Sequence, residues 1–212
     1  MSEQRMHDIL RFWFGRTPAA SLSVRDRIAI LGSIPYWHGH YYNRFFPVDA
    51  RMRRLFEGDI RSARNGAYEG WGASVEGRLA LILLYDQFPR NIYRGTSDAF
   101  ALDSRGYELA RRCLATNEDQ VYAPLIRSFY YLPLVHVEDL AIQDEAVDRY
   151  RQAHACATDG FSKWLLYMDL LGARRHRDIV HRFGRFPHRN RILNRDSTRE
   201  ELQFLKLPFS SF

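Results

Sequence analysis

The sequence predicts an all-α protein in a single domain, and three observations carry that expectation. Apolar residues recur at helical spacing along most of the chain, while clean strand alternation is missing. Helix-start and helix-stop residues bracket the apolar stretches. The segments between them are short, which implies antiparallel helix pairs stacked in layers. At 212 residues, 46% hydrophobic and 14% aromatic, the chain is long enough for one core that buries roughly 70% of its unfolded surface.

The first helix reads from His7 to Phe14, with Ile9, Leu10, Trp13 and Phe14 on one face and Gly15 as its stop. Ser23 to Leu31 is a weaker helix. Pro35 to Pro47 is irregular and carries Tyr36, Trp37, Tyr41, Tyr42, Phe45 and Phe46. These aromatics are expected to tuck onto a neighbouring helix; a lid or an exposed patch is the other reading, and residues 18–46 together read as an insertion or cover. Val48 to Asn65 is a good helix with Met52, Leu55, Phe56 and Ile60 on one stripe and Asn65-Gly66 as its end. Ser74 caps an apolar helix that runs through Leu84, with Glu76 in its first turn. After the loop Arg94–Ser97, a helix is expected over Asp98 to Leu114, with Phe100, Tyr107, Leu109 and Leu114 apolar. A short one follows over Pro124 to Tyr131, ended by Leu132-Pro133. Asp144 to Ala157 is another, entered from His136-Val-Glu-Asp139. Asp159 or Ser162 opens the last long helix, which reaches Phe183 on a stripe of Phe161, Trp164, Leu165, Met168 and Leu171, then Ile179 and Val180. Gly184 suits a left-handed stop. Thr198-Arg-Glu-Glu201 is a capping box for a final helix.

Two apolar runs close in nearly the same way. Asp86-Gln-Phe-Pro-Arg-Asn91 ends one and Arg185-Phe-Pro-His-Arg-Asn190 ends the other. Proline has no N–H and biases the preceding residue away from helical angles, so each Phe-Pro is expected to end a helix. Arg and Asn then sit past the helix end, where side chains reach a ligand or orphan carbonyls.

The composition bounds the function. The longest apolar run, Leu79 to Tyr85, falls far short of the ~20 residues of a membrane span. The N-terminal residues carry no apolar signal region. Cys113 and Cys156 make neither a disulfide framework nor a zinc pattern, and a reducing cytoplasm is the expected home. The net charge is +6; Arg174 to Arg199 holds nine arginines against two acids, a balance of +7, which leaves −1 for the remainder. Such a segment can attract phosphates or nucleic acid. Against that, its arginines can pair with acids elsewhere, and no aromatic interleaving of an RNA-binding sheet accompanies them.

Several residues could carry chemistry. Asp86 and Gln87 lie in the last turn of an apolar helix, at the unfavourable end of the dipole for a carboxylate. Arg90 is near enough to compensate Asp86; alternatively Asp86, Gln87, Arg90 and Asn91 turn into a pocket. Arg185, His188, Arg189 and Asn190 of the second segment either clasp Asp86 or face an anionic ligand. His176 shares the stripe of Ile179, Val180 and Phe183 and reads as a hydrogen-bonded core residue; His181 lies off it. His136 with Glu138 is a possible acid–base set. Asp139 beside them does not complete a metal signature, and no metal or cofactor is expected. There is no Gly-rich phosphate loop, nucleophile elbow or Cys–His set.

The stretch Leu79 to Gly95, containing Asp-Gln-Phe-Pro-Arg-Asn, resembles the central signature of the bacterial family catalogued as domain of unknown function 924. The resemblance continues through Ala99–Asp103, Phe129–Leu140, Gln143-Asp144, His176–Asn190 and Ser197–Glu201, and His7–Gly15 resembles the family's opening Phe-Trp-Phe-Gly. It implies an all-helical, tetratricopeptide-repeat-like fold and no established activity. By resemblance the motif residues fall on Asp86, Gln87, Arg90, Asn91, Asp103, His136, Glu138, Asp139, Gln143, His176, Arg185, His188, Arg189 and Asn190. Pro18 to Phe46 is longer and more aromatic than the family's usual stretch. Asn194 replaces a usual glycine, and asparagine tolerates the left-handed turn.

Three functions remain in play. The first is a binding module taking an anionic ligand or acidic peptide in a groove lined by both Phe-Pro-Arg-Asn segments. The second is a small-molecule enzyme with His136, Glu138, His176 and Asp86 as candidate proton carriers. The third is nucleic-acid binding by the Arg174–Arg199 segment.

Overall fold

Among the residues that the computed structural model describes (3–208, 210 and 211, with only the backbone of His40 and Tyr41), every regular element is helical. Helix α1 (Glu3–Phe14) buries Ile9, Leu10, Trp13 and Phe14, and Gly15 stops it at a φ of +72°. Helix α2 (Val24–Leu31) starts at a Ser23–Asp26 capping box. Two single turns, α3 (Ile34–Trp37) and α4 (Gly39–Tyr42), occupy the aromatic segment. Tyr36, Trp37 and Tyr42 do tuck onto the core; Phe45 and Phe46 do not, and the Tyr41 side chain lies outside the described residues. Helix α5 (Val48–Arg64) buries Met52, Phe56 and Ile60, but Leu55, expected on that stripe, is exposed.

The main core is built where α1, α5 and α9 (Pro124–Val135) place their rings around Phe88. Its centroid lies 5.0 Å from Phe56 and 5.2 Å from Trp13; Phe129 lies 5.1 Å from Phe14 and 4.8 Å from Trp37. Tilted and edge-to-face pairs of this kind add to the area they bury. The family-like Phe-Trp-Phe opening is therefore a set of core wedges.

Four expectations need correction. The first Phe-Pro does not end a helix. Helix α6 (Val75–Ile82) widens into a π turn over Leu83–Gln87, closed by the Phe88 N–H on the Leu83 carbonyl, and continues as α7 (Phe88–Ile92). The wider turn gives the Pro89 ring room, so the chain proceeds where a regular helix would clash. Likewise α9 passes through Pro133 to Val135, the proline sitting in its last turn. Helix α8 (Asp103–Ala115) begins later than expected, because Ser97–Phe100 forms a separate 3₁₀ turn.

Finally, α11 (Gly160–Phe183) buries Leu165, Leu166, Leu170 and Ala173 and leaves Trp164, Met168 and Leu171 exposed. Both stripes have helical spacing; packing against α10 (Leu140–Cys156) and α9 selects one. Asp139 and Asp159 cap α10 and α11, and the short turns between α9, α10 and α11 stack them as neighbours.

A smaller apolar cluster of Ile179, Val180, Phe186 and Phe204 forms where α11, the second Phe-Pro and α12 (Arg199–Phe204) meet. Gly184 turns the chain at a φ of +67° and Asn194 at +52°, as their residue types allow. Both prolines thus follow a phenylalanine that is fully buried: Phe88 in the main core, Phe186 in the smaller one. The repeated dipeptide anchors two separate segments and presents the following residues to the space between them.

Candidate functional site

That space holds a polar junction. The π turn directs Asp86 inward, where it is 1% exposed. Its Oδ1 lies 2.7 Å from His136 Nδ1 and 3.1 Å from Arg90 Nη1, and Gln87 Nε2 donates to Oδ2 at 2.5 Å. Burial alone would raise this carboxyl; Arg90 and then His136 outweigh it and hold the group well below the usual carboxylate range. Arg90 also donates to the Asp86 carbonyl at 2.9 Å and spans both Asp103 oxygens at 2.8 and 2.9 Å. Asp103 stands in the first turn of α8, which favours an anion.

The second segment arrives through Arg189, which is 7% exposed. Its guanidinium lies between the rings of Phe100 and Phe186, at 4.7 and 4.5 Å from their centroids. Nη1 donates to the His136 carbonyl at 3.1 Å, and the nearest carboxylate oxygen, on Asp103, is 3.9 Å away. Nε is buried without an acceptor. Burial, then the neighbouring Arg90, pull its pKa down to about 10. Arg90 is doubly compensated; Arg189 is a desolvated cation held mainly by aromatic faces.

Three histidines line the same place. The His136 and His176 rings are 6.0 Å apart, and His176 Nδ1 donates to the Gly172 carbonyl at 2.8 Å. Burial, reinforced by Arg90, lowers the His136 pKa; burial and the neighbouring His136 lower His176 further. Burial and Arg189 pull His188 down to about 3. All three are neutral at pH 7. A carboxylate only accepts, so His136 Nδ1 carries its proton and Nε2 is the basic side of the ring. His136, His176 and His188 are each half-buried, so the junction reaches the surface.

Gln87, Arg90, Arg189, His136, His176, His188 and Asp86 are thus brought together. Asn91 faces the other side of α7, donating to the Tyr36 carbonyl at 3.1 Å and accepting from Arg94 at 2.8 Å. Arg185 points away to Glu201, at 2.7 and 2.9 Å. Asn190 is buried and donates to Ser197 at 3.1 Å. Glu138 is a clamp: it accepts from the Phe186 N–H at 2.8 Å and from Arg195 at 2.6 and 2.9 Å. Burial would raise its carboxyl, but Arg195 draws it below the usual range. Gln143 donates to the carbonyls of Val135 and Val137 at 2.6 and 2.7 Å, fixing the turn that carries His136. His176 is less a core residue than expected, since it lines this junction beside His136.

One participant escaped the sequence reading. Phe100 looked like a helix-stripe residue, yet it stacks on both arginines, with Arg90 at 5.7 Å. Two helical turns before His176 on α11, the half-buried Asp169 has its pKa raised to about 7 by burial.

In the basic segment, Arg177 pairs with Asp144 at 2.8 Å, Arg182 with Glu200 at 2.7 Å, Arg185 with Glu201 and Arg195 with Glu138, while Arg189 is buried. Among the described residues no cluster could hold a metal ion, and no helix is long and apolar enough to cross a membrane.

No curated protein matches the chain. A solved structure, described as a protein of unknown function, ATU0120, from Agrobacterium tumefaciens, is similar at 36% identity with a TM-score of 0.66, covering 82% of this chain and 94% of that one. Residues 9–208 match the family described as "Bacterial protein of unknown function (DUF924)". The chain belongs to the DUF924 family.

Proposed function

We propose that the junction binds a small molecule bearing a carboxylate or phosphate, with Arg189 holding the anionic group. The observation that carries this reading is Arg189 itself: a buried guanidinium with an unused Nε–H, its nearest carboxylate at 3.9 Å, its charge faced by two rings. An anion would satisfy the fork and relieve the cost of burying it. Because Arg185 leaves toward Glu201 and Asn91 toward Tyr36, the two segments do not line one continuous groove, which favours a small ligand over an extended peptide. The layered helices α9, α10 and α11 support a tetratricopeptide-repeat-like reading of the fold, and the unpaired Cys113 and Cys156 support a bacterial cytoplasm as the location.

Acid–base catalysis is the second reading, and one observation favours it. The Asp86–His136 hydrogen bond orients a neutral imidazole with its Nε2 basic, as a proton acceptor requires. A ligand with an ionisable O–H or N–H beside its anionic group would meet both.

The test is thermal unfolding with inorganic phosphate, acetate and malonate, on wild type and Arg189→Gln. A ligand at a hundred times its dissociation constant stabilises by about 2.7 kcal/mol. At least one anion is expected to raise the melting temperature saturably in the wild type and not in the variant. Equal shifts in both would refute the site.

A further inference from the structure

The segment from α2 to the start of α5 leaves apolar surface uncovered. Val24, Ile28 and Leu31, at helical spacing on α2, are 61%, 63% and 53% exposed. Phe45 and Phe46, at the tip of the turn before α5, are 72% and 59% exposed. The two features adjoin at one open, mainly apolar depression of about 310 Å³, lined by Phe46 and by Gly32, the residue after α2.

The rim carries one sign of charge. Arg25, Arg44 and Arg51 are exposed, and among the described residues no carboxylate lies within ion-pair distance of them. The nearby acids are engaged: Asp26 caps α2 and approaches Arg16 at 3.4 Å, and Asp49 pairs with Arg94 at 2.7 Å. Protruding aromatics beside arginines that no described carboxylate pairs with match the interface of an anionic bilayer, where rings enter the headgroup level and guanidiniums meet phosphates.

A second copy of the chain fits less well. A two-fold contact would crowd Arg25, Arg44 and Arg51 of both copies into one interface, where the nearby acids are already engaged. A partner helix needs a long groove about 10 Å wide, whereas only seven residues line the depression here. We propose that this face docks the protein on an anionic membrane surface, with Phe45 and Phe46 inserting and the rim arginines contacting headgroups. The surface is separate from the polar junction.

Vesicle flotation tests it, using the full chain with phosphatidylcholine alone and with phosphatidylcholine mixed equally with phosphatidylglycerol. Binding is expected to the mixed vesicles only, and to weaken with salt. Phe45→Ser with Phe46→Ser should lower partitioning by about tenfold or more without changing the melting temperature, since both rings are exposed. Arg44→Glu with Arg51→Glu should weaken binding as well, and Ile28→Gln at the far end of the patch should do the same. Absence of binding at low salt overturns the proposal. So does binding that survives the paired Phe substitution, which would assign it to charge elsewhere. A dimer in light scattering that the Phe substitutions abolish would assign the face to a second copy and overturn it equally.

Discussion

Replacing Asp86 by Asn probes the junction most sharply. Removing one member of a buried ion pair costs about 3–5 kcal/mol when the other charge is stranded. Here Arg90 is not stranded, because it keeps both Asp103 oxygens at 2.8 and 2.9 Å. What disappears is the charge behind the 2.7 Å bond from His136 and the 3.1 Å contact with Arg90. A hydrogen bond to a charged group contributes about 1.5–3 kcal/mol, and the amide oxygen retains part of one. The expected loss is therefore about 2–3 kcal/mol. Asp103→Asn, at a site 25% exposed, should cost only about 1 kcal/mol, since solvent screens a partly exposed pair. Urea unfolding of both variants measures this, with the slope on denaturant unchanged. A loss below about 0.5 kcal/mol for Asp86→Asn, or a larger loss for Asp103→Asn, would refute the view that Asp86 is the electrostatic centre.

Other consequences are equally measurable. His136, His176 and His188 have folded pKa values below their unfolded value, so their contribution is complete above about 6.5 and shrinks as pH falls; for His188 the loss runs down to about 3. Stability should thus fall as pH drops below about 6.5, with His188 contributing about 1.4 kcal/mol per unit down to about 3, and His188→Gln should flatten that fall. Asp169 has the opposite sign: its pKa of about 7 makes the folded state lose stability as pH rises from about 4 to 7. Asp169→Asn should therefore stabilise at pH 8 by about 1–3 kcal/mol and leave stability at pH 4 unchanged, read by chemical denaturation at both. Gly15→Ala should cost about 2 kcal/mol or more in the same assay, because a methyl there would sit 2.6 Å from the Ala29 backbone at a φ of +72°. Phe186→Ala should cost about 3–5 kcal/mol by emptying the smaller core, which an unchanged melting temperature would contradict.

Much of the fold was legible because capping residues and glycines act locally. Ser23, Ser74, Asp159 and Thr198 start helices where their side chains suggest, and Gly184 and Asn194 turn as expected. The failures are tertiary. Trp164, Met168 and Leu171 have the same helical spacing as the buried stripe of α11, and only the neighbours decide which faces in. Pro89 reads as a terminator because sequence rules describe regular helices; a π turn is an exception without a local signal.

The candidate site was legible as a set of residue types. Asp86 near a helix end needed compensation, and Arg90 supplies it. The partition of the two Phe-Pro segments was not legible. Arg185 and Arg189 are four residues apart with the same chemistry, yet one pairs with Glu201 and the other enters the junction. The turn at Gly184 and the anchoring of Phe186 set which is which.

The central claim is that Arg189 reserves part of its guanidinium for an anion. Its Nε–H can be observed directly by arginine-selective nitrogen–proton NMR, assigned with Arg189→Lys. During titration with whichever of phosphate, acetate or malonate raises the melting temperature, that resonance should move downfield and saturate with the same dissociation constant. An Arg189 Nε–H signal unmoved at saturation, while other signals shift, would place the anion elsewhere and contradict the account.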